Sequence, residues 1–165
     1  MNPLRFLRHA LFPQWWAMRA FPRDSLARLE AAIAESERRH AGELRFVVEA
    51  ALPLASLFRD ESAHERAIAL FSQLRIWDTE ANGGVLIYVQ LLDRRIEIVA
   101  DRGIDACVGA AFWEGVRDRM QAAFRAGRFE AGVLAALDEI TGALAANFPP
   151  HAENANELPD RPLLL

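Results

Sequence analysis

With 165 residues, 52% of them hydrophobic and 25% charged, the chain is sized for one domain that can bury a core of its own. Its formal net charge of −4 argues against a general nucleic-acid binder, which needs a basic surface to neutralise phosphates. The single cysteine, Cys107, allows no intramolecular disulfide, and its apolar setting (residues 106–112) predicts inert packing.

Residues 1–22 form a segment apart. Arg5, Arg8, Arg19 and Arg23 are interleaved with aromatic and aliphatic side chains, and residues 1–23 contain no acid. Arg8, His9, Pro13 and Gln14 interrupt any secretory signal, and no stretch approaches the length that spans a bilayer, so a cytoplasmic location is expected. The segment is predicted to be helical in two pieces, broken near Pro13 and stopped by Pro22. Trp15 and Trp16 are expected to pack over the core, with a peripheral membrane contact through residues 1–20 as the less favoured alternative.

The main domain is read as residues 23–148. Asp24 or Ser25 caps a helix striped by Leu26, Leu29 and Ile33, with Arg38, Arg39 and His40 in its last turn and Gly42 as its stop. Residues 44–50, with Phe46, Val47 and Val48, read as a strand ended by Pro53. Ser62 and Glu65 form a capping-box pattern ahead of a helix with Ala67, Leu70, Phe71 and Leu74 on one face. Residues 84–92 are apolar without alternation, as in a central strand covered on both faces. Asp93-Arg94 makes a tight turn, and residues 95–100 return with Ile96 and Ile98 on one face. Trp113, Val116, Met120 and Phe124 stripe one further helix, and Phe129, Val133, Leu137, Ile140 and Leu144 stripe another beyond Gly127. Residues 149–165 read as a flexible tail. A strand–helix–strand unit followed by a hairpin predicts an α/β fold: a three-layer α/β/α sandwich, its mixed sheet of about four strands covered by helices on both faces.

The candidate site comes from the hairpin. In a hairpin the loop entering one strand lies beside the loop leaving the other. If Leu92 faces Arg95, Asn82 falls opposite Asp105, and Asp78, Glu80, Asn82, Asp101 and Asp105 converge. Oxygen ligands of this kind suit Ca²⁺ or Mg²⁺. The run Asp78-x-Glu80-x-Asn82-Gly83 matches the opening of an EF-hand loop, but the closing acid would fall on Val89, so the chain is not an EF-hand. The alternative is that these are ordinary turn residues, their charges paired with Arg75 and Arg102. No Gly-rich phosphate loop, G-x-S-x-G elbow or paired zinc-binding histidine motif is present, and no nucleophile stands beside a base. His40 and Glu43 read as polar groups at a helix end. No organic cofactor is expected.

Several short motifs taken together resemble the TPM domain family, related to the thylakoid lumen phosphatase-like proteins of plants. Residues 82–89 (Asn-Gly-Gly-Val-Leu-Ile-Tyr-Val) and 93–99 (Asp-Arg-Arg-Ile-Glu-Ile-Val) are similar to that family's (D/N)NGVLLxV…DRxxxI core. Gly103-Ile104-Asp105 resembles its glycine–aliphatic–acid turn, and residues 124–129 its F+xGxF link between helices. The resemblance spans residues 21–148. It implies an α/β/α sandwich, with weak acid phosphatase activity in some members, divalent-cation binding in others, and membrane anchoring in many. The chain departs from the pattern by having Asn82 then Gly83 where members often have Asp then Asn, which removes one anionic ligand and one amide. The expectation is a small binding or regulatory module with a divalent-cation site at the loop end of the hairpin. The alternatives are a weak metal-assisted phosphatase and an envelope-facing interaction protein that meets a membrane or a membrane-bound partner through Arg5, Arg8, Trp15 and Trp16; an unknown protein partner is also allowed for.

Overall fold

A computed structural model describes residues 3–12, 15–80, 82–150 and 157–165. In chain order the elements are α1 (Pro3–Leu11), α2 (Trp15–Ala20), α3 (Arg23–Glu37), β1 (Glu43–Glu49), α4 (Leu54–Phe58), α5 (Ala63–Gln73), β2 (Gly84–Gln90), β3 (Arg95–Ala100), α6 (Arg102–Val108), α7 (Ala110–Arg125), α8 (Phe129–Asn147) and β4 (Leu163–Leu164). The sheet order is β3-β2-β1-β4. β1 runs parallel to both β2 and β4, and β2 pairs antiparallel with β3. This is the expected mixed sheet.

Alternation along β1 sorts the two layers. Leu44, Phe46 and Val48 enter a large core with Leu29 and Ile33 of α3, Val116 and Met120 of α7, and Val133, Leu137 and Ile140 of α8. Val47 enters a smaller core with Leu86 and Tyr88 of β2 and Ala67, Leu70 and Phe71 of α5. Gly84 starts β2 because a Cβ there would lie 1.9 Å from the Ile76 carbonyl oxygen.

Several details differ from expectation. Pro22, not Asp24 or Ser25, occupies the N-cap of α3 and offers no side-chain bond, while Ser25 is buried inside the helix. The Ser62–Glu65 capping box forms as expected. Residues 102–108 are helical rather than loop, and Cys107 on α6 is exposed rather than packed. Residues 157–165 are not a loose tail. Leu163 and Leu164 pair with Val47 and Val48, the Leu165 N–H donates to the Val48 carbonyl at 2.9 Å, and the Ala50 N–H donates to the Leu165 carbonyl at 3.2 Å.

What fixes the tail is the polar face of β1. Glu43, Arg45 and Glu49 are buried there. Glu43 accepts the backbone N–H groups of Glu157 and Leu158 at 3.1 and 3.2 Å, and the Arg45 guanidinium donates to the Arg161 carbonyl at 3.2 Å. Glu49 accepts from the Tyr88 hydroxyl at 2.6 Å and from Arg66 at 3.1 and 2.7 Å. Burying charge is tolerated because every one of these groups meets a partner.

Glu37, at the end of α3, accepts the Leu44 N–H at 3.0 Å, yet burial drives its carboxyl up to about 9. Burial lowers His40 to about 4, so its ring is neutral in the fold. A raised carboxyl contributes stability that is present below its ordinary value of 4.5 and is lost as pH climbs toward 9. Glu37→Gln keeps the acceptor for Leu44 without the ionisation. Thermal melts from pH 5 to 8 should therefore show this variant gaining on the parent, by on the order of 1–3 kcal/mol across the window. A gap that stays constant with pH would mean that Glu37 ionises normally in the fold.

Candidate functional site

At the open end of the hairpin the register differs by two residues from that expected. Val85 faces Ala100 and Gln90 faces Arg95, which sets Asn82 opposite Gly103 rather than Asp105. The approach is tight: a Cβ on Gly103 would lie 2.5 Å from the Asn82 carbonyl oxygen, so only glycine fits there. Asn82 takes the left-handed conformation, φ 50°, which asparagine tolerates better than most residues. Its N–H donates to the Thr79 carbonyl at 3.1 Å.

Asp101 is locked into this corner. Its N–H donates to the Gly84 carbonyl at 2.8 Å, and its Oδ1 accepts the Arg102 N–H at 2.7 Å as the N-cap of α6. Among the described residues its Oδ2 is buried without a hydrogen-bond partner, and so is Oγ1 of Thr79 in the facing loop. Asp105 lies one helical turn beyond Asp101. Its Oδ1 accepts the Trp113 indole N–H at 2.9 Å, which ties α6 to α7.

The five sequence-predicted ligands are thus only partly assembled. Asn82 and the turn bearing Asp101 meet, and Asp105 follows on α6. Asp78 and Glu80 are exposed on the entering loop, where the Glu80 N–H donates to the Glu157 carboxylate at 3.2 Å. Among the described residues no group of three or more His, Cys, Asp or Glu side chains is placed to hold a metal ion. Arg75 and Arg102 form no ion pair with these acids among the described residues, so the alternative of simple charge pairing is not realised either. Thr79 is the polar group that sequence reasoning passed over. Its place between two acids in a turn gives no sign that its hydroxyl turns inward.

A serine–histidine pair also exists that the sequence did not disclose. Ser36 Oγ lies 2.8 Å from His40 Nε2, and His40 Nδ1 faces the Gly42 carbonyl at 3.0 Å. The spacing would suit a nucleophile and its base, but both residues are buried, and Ser36 Oγ also meets Thr141 at 2.6 Å. The pair serves to join α3 to α8.

The turn end of the hairpin carries a second unusual arrangement. Leu52 donates its N–H to His9 Nδ1 at 2.9 Å, so the proton of that ring sits on Nε2, which donates to Asp93 Oδ1 at 3.0 Å. Arg5 donates to Asp93 Oδ2 at 2.9 Å and to the Glu61 carbonyl at 3.0 Å, and Arg8 donates to the Leu92 carbonyl at 3.2 Å. Burial raises the Asp93 carboxyl, but the bonds from His9 and Arg5 outweigh it and hold the group below its ordinary value. The polar stripe of α1 therefore faces the protein and its leucines face outward. Leu4, Leu7 and Leu11 are 71%, 54% and 73% exposed, followed by Trp15 at 59% and Trp16 at 41%. The tryptophans do not pack over the core as expected, and Arg5 is half-buried against the turn, while Arg8 stays exposed and only reaches back to the Leu92 carbonyl.

Among the described residues no helix is long and apolar enough to cross a membrane. No curated protein matches the chain. Among solved structures it is similar to the NMR structure of the BA42 protein from the psychrophilic bacterium Bizionia argentinensis, at 28% identity and a TM-score of 0.74, covering 85% of this chain and 92% of that one. It also shares the fold of the N-terminal domain of a P. gingivalis protein, at 15% identity and a TM-score of 0.62, covering 86% of this chain and 95% of that one. A family model for the TPM domain matches residues 19–143, well over half the chain. The three-layer sandwich, the hairpin and its two loops are thus those of a protein that belongs to the TPM domain family.

Proposed function

We infer that this TPM domain is a binding module that lies against a lipid surface through α1 and α2. The observation that carries the reading is the inverted amphipathicity of α1. A helix on a water-facing surface ordinarily buries its apolar stripe and exposes its charges. Here Arg5, Arg8 and His9 are held by the protein, while Leu4, Leu7 and Leu11 are exposed. Six of the ten strongly exposed large apolar side chains among the described residues lie in residues 4–18, and Phe58, another of the ten, contacts Phe6 at 5.2 Å between ring centroids. A lipid interface fits better than a dry protein partner. Trp15 and Trp16 suit the headgroup level, Arg19 stacks on Trp16 at 5.7 Å, and residues 1–23 carry no acid.

A second reading rests on the orphaned Oδ2 of Asp101. A buried carboxylate oxygen without a donor is what a bound cation or water satisfies. Asp101, Asn82 and the Thr79 hydroxyl are the groups this chain offers a hard cation there, with Asp105 behind them. One anionic side chain at the centre makes this a weak site for Ca²⁺ or Mg²⁺. Such an ion would act as a sensor at the loops, and phosphoester hydrolysis would be a further step that polarises a phosphate oxygen.

Cosedimentation with vesicles tests the first reading. The protein should sediment with vesicles containing phosphatidylglycerol and less with pure phosphatidylcholine. Leu7→Glu combined with Leu11→Glu should cut binding at least tenfold without changing the melt, since both side chains are more than half exposed. Undiminished binding by the double variant would overturn the reading. Failure to sediment with either vesicle would point to a protein partner. For the second reading, backbone amide shifts followed through a Ca²⁺ and Mg²⁺ titration should saturate at residues 79–84 and 101–105 and vanish in Asp101→Asn. A flat titration at millimolar cation would leave the loops purely structural.

A further inference from the structure

A hollow of about 690 Å³ opens where α2, the turn end of β2 and β3, and the junction of α7 with α8 meet. That volume is in the range of small-molecule sites. Its walls are apolar, with Val89, Ile96, Phe124 and Phe129 among them. Its polar lining is dominated by Arg19, Arg94, Arg95 and Arg125, and among the described residues no acidic side chain lines it. Among the described residues none of these four guanidiniums is paired with a carboxylate.

An arginine cannot shed its charge to relieve crowding. Four of them around an apolar hollow therefore leave a fixed positive field that only an anion can neutralise. The backbone adds to the argument. Arg94 sits at φ 55°, in the left-handed region where glycine or asparagine would be less strained. A charged side chain is held at the rim despite that strain. Apolar walls and a planar, bidentate cationic rim together select an apolar body with an oxyanion head.

We propose that this hollow binds a single-chain anionic amphiphile, an acyl carboxylate whose chain lies on Val89, Ile96, Phe124 and Phe129 and whose head meets Arg94, Arg95 and Arg125. The site takes its ligand from free solution and stands whether or not α1 meets a bilayer.

Calorimetric titration of the full chain with decanoate, below its micelle-forming concentration and without vesicles, tests this. Decanoate should bind saturably at one site, with decanol and decyltrimethylammonium at least tenfold weaker. Arg95→Gln combined with Arg125→Gln should weaken decanoate at least tenfold and leave decanol unchanged. Both arginines are exposed, so the fold should survive. Arg94→Asn guards against a folding artefact, because asparagine takes the left-handed conformation more readily. It should hold or raise the melting temperature while weakening decanoate at least threefold. Equal affinity for decanoate and decanol, non-saturating uptake, or unchanged affinity in both arginine variants would overturn the proposal.

Discussion

The carboxylate of Asp93 decides how the N-terminal helices sit on the domain. It receives His9 on one oxygen and Arg5 on the other, and its own N–H is held by the Gln90 side-chain carbonyl at 2.6 Å. Removing it would leave a buried imidazole N–H without an acceptor, a cost on the order of 1–3 kcal/mol. Because the polar stripe of α1 has fixed partners at this turn, the leucine stripe has nowhere to go but outward. Helix amphipathicity normally yields to the apolar core. Here specific hydrogen bonds to a half-buried carboxylate win, and the apolar face is left exposed.

The two ends of the hairpin are chemically opposite. At the open end the backbone is crowded: Gly84 lies against Ile76, Gly103 against Asn82, and Asp101 is pinned to the Gly84 carbonyl. That rigidity positions a few oxygen atoms and leaves little room for an organic ligand. At the turn end the charged groups that line the hollow are arginines and the surroundings are roomy and apolar. Polar oxygens in a tight corner suit a small cation, whereas guanidiniums over an apolar hollow suit a larger anion.

Much of this fold was legible in the sequence because local pattern and tertiary environment agree. The Ser62–Glu65 box, the apolar run of β2 and the stripes of α7 and α8 each had a local signal. What was not legible depended on partners distant in the chain. Leu163 and Leu164 form a strand only because Glu43 and Arg45 reach residues 157–161, more than a hundred positions away. The polar face of β1 was the available signal, since Glu43, Arg45 and Glu49 alternate with Leu44, Phe46 and Val48. The ligand set depended on hairpin register. Two residues of slip leave each side chain on the same face but move Asp105 away from Asn82, and α6 then carries it to Trp113. The site was legible as a region, not as a constellation.

The overall charge of −4 does not oppose an anionic surface or ligand at the turn end. β2 has seven residues, which at roughly 3.4 Å each separates the two ends of the hairpin by roughly 20 Å. Physiological salt screens exposed charges over about 8 Å, so the acids of the open loops are largely invisible from the turn. What a ligand meets there is the local set of Arg19, Arg94, Arg95 and Arg125, with Asp93 already neutralised by Arg5. The same separation orients the molecule. Near a negative surface the acid-bearing end is repelled and the arginine-bearing end attracted, so the end that carries the exposed leucines of α1 with Trp15 and Trp16 is also the end that electrostatics would turn toward such a surface.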